Sequence, residues 1–244
     1  MSPTPRFRPE RQVATVALLG TLLTLLSGCV YLRLLEVKKQ LQNFDTHFAI
    51  GGRSNLVIEF KKPVLRLKDT RFLVGAEPLF QTENNGEVLL HYEFNLVHRS
   101  SVPSPPPLNR LSLDLVSRDG RLAKIIVPEK FMLLFPRNVI LETLKQAKDA
   151  EVFELKKMAR GLIHLPPDIE AELPSHEKTL MLLGNPAVSV PENDLQVLSY
   201  RYAISSATRD VPILAHLSFD ASGLLKKVHV RWDQSSIEAL FIRE

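Results

Sequence analysis

The sequence predicts an α+β fold of two tandem repeats, each made of helices plus a small antiparallel sheet, placed after an N-terminal signal segment. Three observations predict it. A basic N-terminus leads into an apolar run that ends Leu26-Ser27-Gly28-Cys29. Two stretches of alternating apolar residues recur at a nearly fixed offset. Each is preceded by a short helical pattern closed by glycine and followed by a hairpin pattern. The boundaries that follow are 1–28 for the signal, 29–136 for the first helix-plus-sheet repeat and 137–244 for the second.

The signal comes first. Arg6, Arg8 and Arg11 outnumber the single acid Glu10, the residues from Val13 to Leu26 are mostly apolar, and Ser27 and Gly28 are the small residues of a cleavage site. Leu26, Ser27, Gly28 and Cys29 together resemble the lipobox of bacterial lipoproteins. That resemblance implies a lipoprotein signal peptide cut before Cys29, a diacylated thiol and an acylated new amine. One acyl chain anchors marginally and several hold stably, at about 0.8 kcal/mol per buried methylene. Cys29 is therefore expected to be an anchor that would take up labelled palmitate. Val30 follows it where inner-membrane retention uses aspartate, so the expected location is the outer membrane, lipid-anchored on its periplasmic face, with the inner membrane as the alternative. The competing reading is an uncleaved membrane helix from Val13 to Leu32, near the roughly 20 residues needed to span.

Composition narrows the partners. Lys plus Arg number 31 and Asp plus Glu 27, a formal net charge of +4, and part of that excess lies in the signal. No basic run exceeds Lys38-Lys39 or Lys61-Lys62, so no nucleic acid is expected as a partner. The only cysteine is Cys29, which leaves no intrachain disulfide and puts stability in packed cores.

In chain order, Leu34, Val37, Leu41, Phe44 and Phe48 fall at helical steps, predicting a helix from Val30 to Phe48 ended by Gly51-Gly52. Its Lys38 and Lys39 are candidates to meet anionic headgroups. Ser54 to Lys61 alternates as a strand. Lys68 to Val74 predicts a short helix closed by Gly75. Asn84-Asn85-Gly86 turns into a strand from Glu87 to His98 with Leu90, Tyr92, Phe94 and Leu96 on one face. Prolines 103, 105, 106 and 107 mark an extended loop, after which Leu111 to Leu115 and Leu122 to Val127 form a hairpin through Asp119-Gly120.

The second half repeats these signals. Asn138 to Arg160 predicts a helix with Asn138 as its cap and Gly161 beyond its end, and Leu165 to Pro174 a stiff connector. Ser175 caps a helix running to Leu183. Leu198, Tyr200, Tyr202 and Ile204 answer Leu90, Tyr92, Phe94 and Leu96, each 108 positions on. Leu217, Phe219, Gly223 and Leu225 answer Leu113, Leu115, Gly120 and Leu122.

These motifs, with Leu183, Gly184 and Pro186 closing the helix, Tyr200 and Tyr202 in the strand and Leu217, Phe219, Asp220, Gly223 and Leu225 in the hairpin, resemble the SmpA/OmlA family. Its members are small bacterial outer-membrane lipoproteins that accompany the β-barrel assembly machinery. The match covers about 55 residues of the second half clearly and the first half loosely. The family's Gly-Met-Thr before the helix is absent, since the positions here read Pro174-Ser175-His176. Two such units are also similar to the β-lactamase-inhibitor protein fold, with its concave binding face. The resemblance implies a fold more than a function.

No chemistry stands out. The histidines at 47, 91, 98, 164, 176, 216 and 229 lack ligand spacing, so no metal and no cofactor is expected. Asp119-Gly120 and Asp220 to Gly223 read as hairpin turns. With no catalytic residues expected, the chain reads as a non-enzyme. The expected function is a membrane-anchored lipoprotein that binds an envelope protein partner or assists envelope assembly. The alternative is a carrier or sensor of a small apolar ligand or lipid, which a closed cavity of a few hundred cubic ångströms with few polar groups would promote.

Overall fold

The computed structural model of the chain describes residues 30–97, 104–153, 157–206, 210–233 and 235–242. Helix α1 covers 30–41, followed by the short α2 (Phe44–His47) and strands β1 (Phe48–Gly51) and β2 (Leu56–Phe60). Next come α3 (Leu67–Val74), β3 (Phe80–Asn84), β4 (Glu87–Leu96), β5 (Arg110–Arg118) and β6 (Arg121–Val127). The middle of the chain supplies α4 (Glu129–Met132), α5 (Arg137–Gln146), β7 (Glu151–Phe153), β8 (Met158–His164) and α6 (Pro167–Glu170). The last part holds α7 (His176–Leu183), β9 (Val188–Glu192), β10 (Leu195–Ser205), β11 (Val211–Phe219), β12 (Leu225–Trp232) and β13 (Ser235–Ile242).

The expected α+β arrangement of two repeats with a small sheet each is not what forms. The described residues make one mixed 13-stranded sheet, in the order β1-β2-β6-β5-β4-β10-β11-β12-β13-β8-β7, with β3 beside β4 and β9 beside β10. The reason lies in two half-open edges. Strand β3 covers β4 only over 87–91, and β9 covers β10 only over 195–199. Each strand would otherwise leave the backbone groups of its second half unpaired, a template for association. Those second halves pair with each other, Leu96 with Tyr202 and Phe94 with Ile204, and the two sheets become one.

Two helix predictions are also corrected. The helix read over 30–48 stops at 41, and Phe48 opens β1 instead, paired with Phe60 and in edge contact with its ring. The helix read from Asn138 to Arg160 runs only from Arg137 to Gln146, capped by Pro136 rather than Asn138. Beyond it Glu151–Phe153 and Met158–His164 are strands, and Gly161 lies inside β8 facing Ala239 of β13 in a parallel pairing. Packing of Ile163 and Phe241 in the core outweighs the local helical preference.

One contiguous core lies on one face of the sheet, holding Leu90, Tyr92, Leu198, Tyr200, Leu217 and Phe219. Every described helix adds apolar side chains to it, from Leu34 and Val37 of α1 to Leu182 and Leu183 of α7. The opposite face, set by the two-residue alternation of the strands, carries polar side chains such as Ser199, His216 and His229.

Leu26, Ser27, Gly28 and Cys29 lie outside the described residues, as does most of the run from Val13 to Leu32. Among the described residues no helix is long and apolar enough to cross a membrane. Lys38 donates to the Ala150 carbonyl at 2.7 Å and so docks α1 onto the fold.

Candidate functional site

The seam between β4 and β10 creates the site. Where the two halves of the sheet meet, the alternating apolar residues of several strands point to the helix side, and the helices do not fully cover them. From the first half, Phe94, Leu111 and Leu113 form the floor; from the second, Tyr202, Ala215, Val228 and Val230 continue it. Phe131, Leu134, Phe135 and Leu183 form the roof. Phe131 and Phe135, one helical turn apart, brace each other with ring centroids 5.8 Å apart.

The space between them, half open to solvent, is about 350 Å³, at the small end of the range for ligand sites. It is reached from solvent, because Phe94, Leu111, Leu113, Val228 and Val230 are only half-buried although they point toward the core side. Ala215 is the small member of a row that otherwise holds Ile213 and Leu217, and its missing bulk helps keep the space open.

Polar groups are nearly excluded. The Tyr202 ring lines the cavity, but its hydroxyl donates to the Leu108 carbonyl at 3.0 Å, and burial pushes its pKa up. Ser112 brings the other hydroxyl among the lining residues, and no carboxylate, imidazole, amine or thiol takes part. Such walls can hold a hydrocarbon by burial alone, and they offer nothing to move a proton or attack a bond.

The candidate chemical residues fall elsewhere. The histidines meet polar partners through strand register rather than sequence spacing: His91 Nδ1 lies 2.5 Å from Asp114, and His216 Nδ1 lies 2.7 Å from Ser199 Oγ. Among the described residues no group of three His, Cys, Asp or Glu is placed to hold a metal. Asp220 accepts from the Ser222 and Leu224 amides and from the Ser222 hydroxyl, which makes it a turn residue. At the end of the proline loop Leu108 N donates to the Leu182 carbonyl at 2.9 Å.

Sequence reasoning put Phe94, Tyr202 and Leu217 in alternating strands but located no cavity. The one local signal for it was an alanine within a row of large side chains. Compared with family models, with curated proteins and with solved structures, the chain finds no match.

Proposed function

We propose that this chain is a membrane-anchored, non-enzymatic carrier or sensor that holds the apolar chain of a lipid in the cavity between the sheet and α4 and α7. The cavity supports this reading over docking of an envelope protein, since its apolar walls suit a hydrocarbon better than a peptide backbone that must pair its polar groups. The lipobox-like Leu26-Ser27-Gly28-Cys29 supports the membrane part, because an anchored protein meets lipid at high local concentration. A chain that buries about ten methylenes gains about 8 kcal/mol of transfer free energy, from which the costs of association and ordering are subtracted.

The test is native mass spectrometry of the full chain in mild detergent, together with displacement of a fluorescent fatty acid. Co-purified lipid, and probe binding that Ala215→Phe abolishes while the fold is retained, are the expected results. No bound lipid and no probe binding by the unaltered chain would discard the reading. The anchor is tested separately: Cys29→Ala should lose labelled palmitate and stay uncleaved, and normal labelling of that variant would remove the lipobox.

A further inference from the structure

Helix α1 turns two leucines to solvent. Its Leu34, Val37 and Leu41 pack against the core, whereas Leu32 and Leu35 are 65% and 46% exposed. At about 100° per residue, Leu32, Leu35 and Lys39 fall on the side of the helix away from the packed stripe, and Lys39 is exposed as well. Glu36 is the one acid of the helix, and it shares that side.

Single exposed leucines are ordinary on a protein surface. What sets this pair apart is its place in the chain, because Cys29 is joined directly to Val30 and Leu32 is the third residue after it. Both readings of the N-terminal segment bring the start of α1 to a bilayer: acyl chains on Cys29 would tether it there, and an uncleaved apolar run from Val13 to Leu32 would end there.

The rotation of α1 about its own axis is fixed by the fold. Arg33 forks onto the buried Asp69 of α3, Lys38 donates to the Ala150 carbonyl at 2.7 Å, and the buried Gln40 donates to the Lys62 carbonyl at 3.0 Å. The leucine side therefore stays outermost. From Leu32 to Lys39 the helix rises about 10 Å, with the leucines at the end nearer Cys29 and the lysine at the end farther from it. That order suits a helix whose start enters the membrane interface, where apolar side chains reach the acyl boundary and an ammonium meets headgroup phosphates.

We infer that the outward side of α1, Leu32 and Leu35 with Lys39 beyond them, rests in the interface of an anionic lipid bilayer and holds the folded body against it in one orientation. This rests on the membrane anchoring proposed above. The bilayer is the occupant because the tether presents this side of the helix to it at high local concentration.

Tryptophan quenching tests the contact. The full chain is placed in vesicles of phosphatidylethanolamine and phosphatidylglycerol with brominated acyl chains, as Leu32→Trp, Leu35→Trp or Leu162→Trp. Leu162 is exposed and points away from the core that α1 covers, since its neighbour Ile163 is buried in that core. Trp232 of the unaltered chain gives the background. Bromine should quench the added emission at positions 32 and 35 about two-fold or more beyond that at 162. Quenching at 32 and 35 no greater than at 162 would overturn the inference. Labelled palmitate read on the same samples separates the contact from the anchor. Palmitate on Cys29 without the extra quenching keeps the anchor and discards the contact. Quenching without palmitate supports the contact and assigns the tether to an uncleaved apolar run.

Discussion

Tyr202, in the second half of the chain, donates its hydroxyl hydrogen to the carbonyl of Leu108 in the first, 94 positions away, at 3.0 Å. Both residues are buried, and Leu108 N in turn donates to Leu182 at the end of α7. One tyrosine thus ties β10 to the proline loop and to the helix, and it fixes a wall of the apolar cavity. Tyr200 makes an equivalent bond to the Gly184 carbonyl, whereas the buried Tyr92 hydroxyl has no partner among the described residues.

The tyrosines should therefore respond differently to loss of the hydroxyl. Tyr202→Phe leaves a buried carbonyl unpaired and should destabilise by about 1–3 kcal/mol, because an unsatisfied acceptor costs its desolvation. Tyr92→Phe removes an unpaired buried group and should be neutral or stabilising. Urea midpoints of the two variants check this, and an equal loss in both would contradict it.

Asp69 is 1% exposed and takes both the Nε and an Nη of Arg33, each at 2.5 Å, as well as the Arg66 amide. This fork pins α1, the helix that follows Cys29 in the chain, onto α3. Asp69→Asn should cost about 3 kcal/mol, since it removes the carboxylate charge that faces a largely buried guanidinium. Limited proteolysis should then cut within 30–41 well before the sheet, whereas cleavage spread evenly over the chain would assign the pair no role in docking α1.

Helices α3 and α7 both end at glycine, at different backbone angles. Gly75 sits at φ 72°, ψ 9°, a left-handed conformation that asparagine tolerates, with ordinary space around a Cβ. Gly184 sits at φ 71°, ψ −162°, which only glycine adopts readily, and a Cβ there would lie 3.3 Å from Pro106. Gly75→Asn should cost under about 1 kcal/mol and Gly184→Asn about 2–3 kcal/mol. Thermal unfolding of both variants gives the comparison.

The local parts of the fold were legible because their signals are local. Ser175 does cap α7, its side chain accepting from the Lys178 amide, and Asp119 and Gly120 do turn between β5 and β6. What failed depends on distant partners. Nothing near Gly161 announces that β8 will pair in parallel with β13, some eighty residues away. Nothing in Phe94 or Tyr202 announces that their strands will pair with one another's second halves and merge two sheets. The cavity is harder still, because Leu111, Val228 and Val230 look like any core-facing residues, and only the volume left between them separates a site from a core. The row that Ser199, His216, His229, Glu238 and Arg160 form across the sheet requires the register of five strands at once.

Stability should also depend on pH through His216 and His229. Both are less basic in the folded chain than in a free chain, chiefly by burial and then by nearby cations, so the unfolded chain binds more protons once the pH drops toward the ordinary histidine value of 6.5. Stability rises with pH wherever the unfolded state holds more protons. The contribution of the pair is therefore full above that value, falls as the pH drops through the lowered values of the folded state, and is flat again below them. Urea midpoints measured from about pH 7.5 to 5 should decline, and His216→Gln with His229→Gln should flatten the decline. A decline of the same slope in that variant would assign it to other groups.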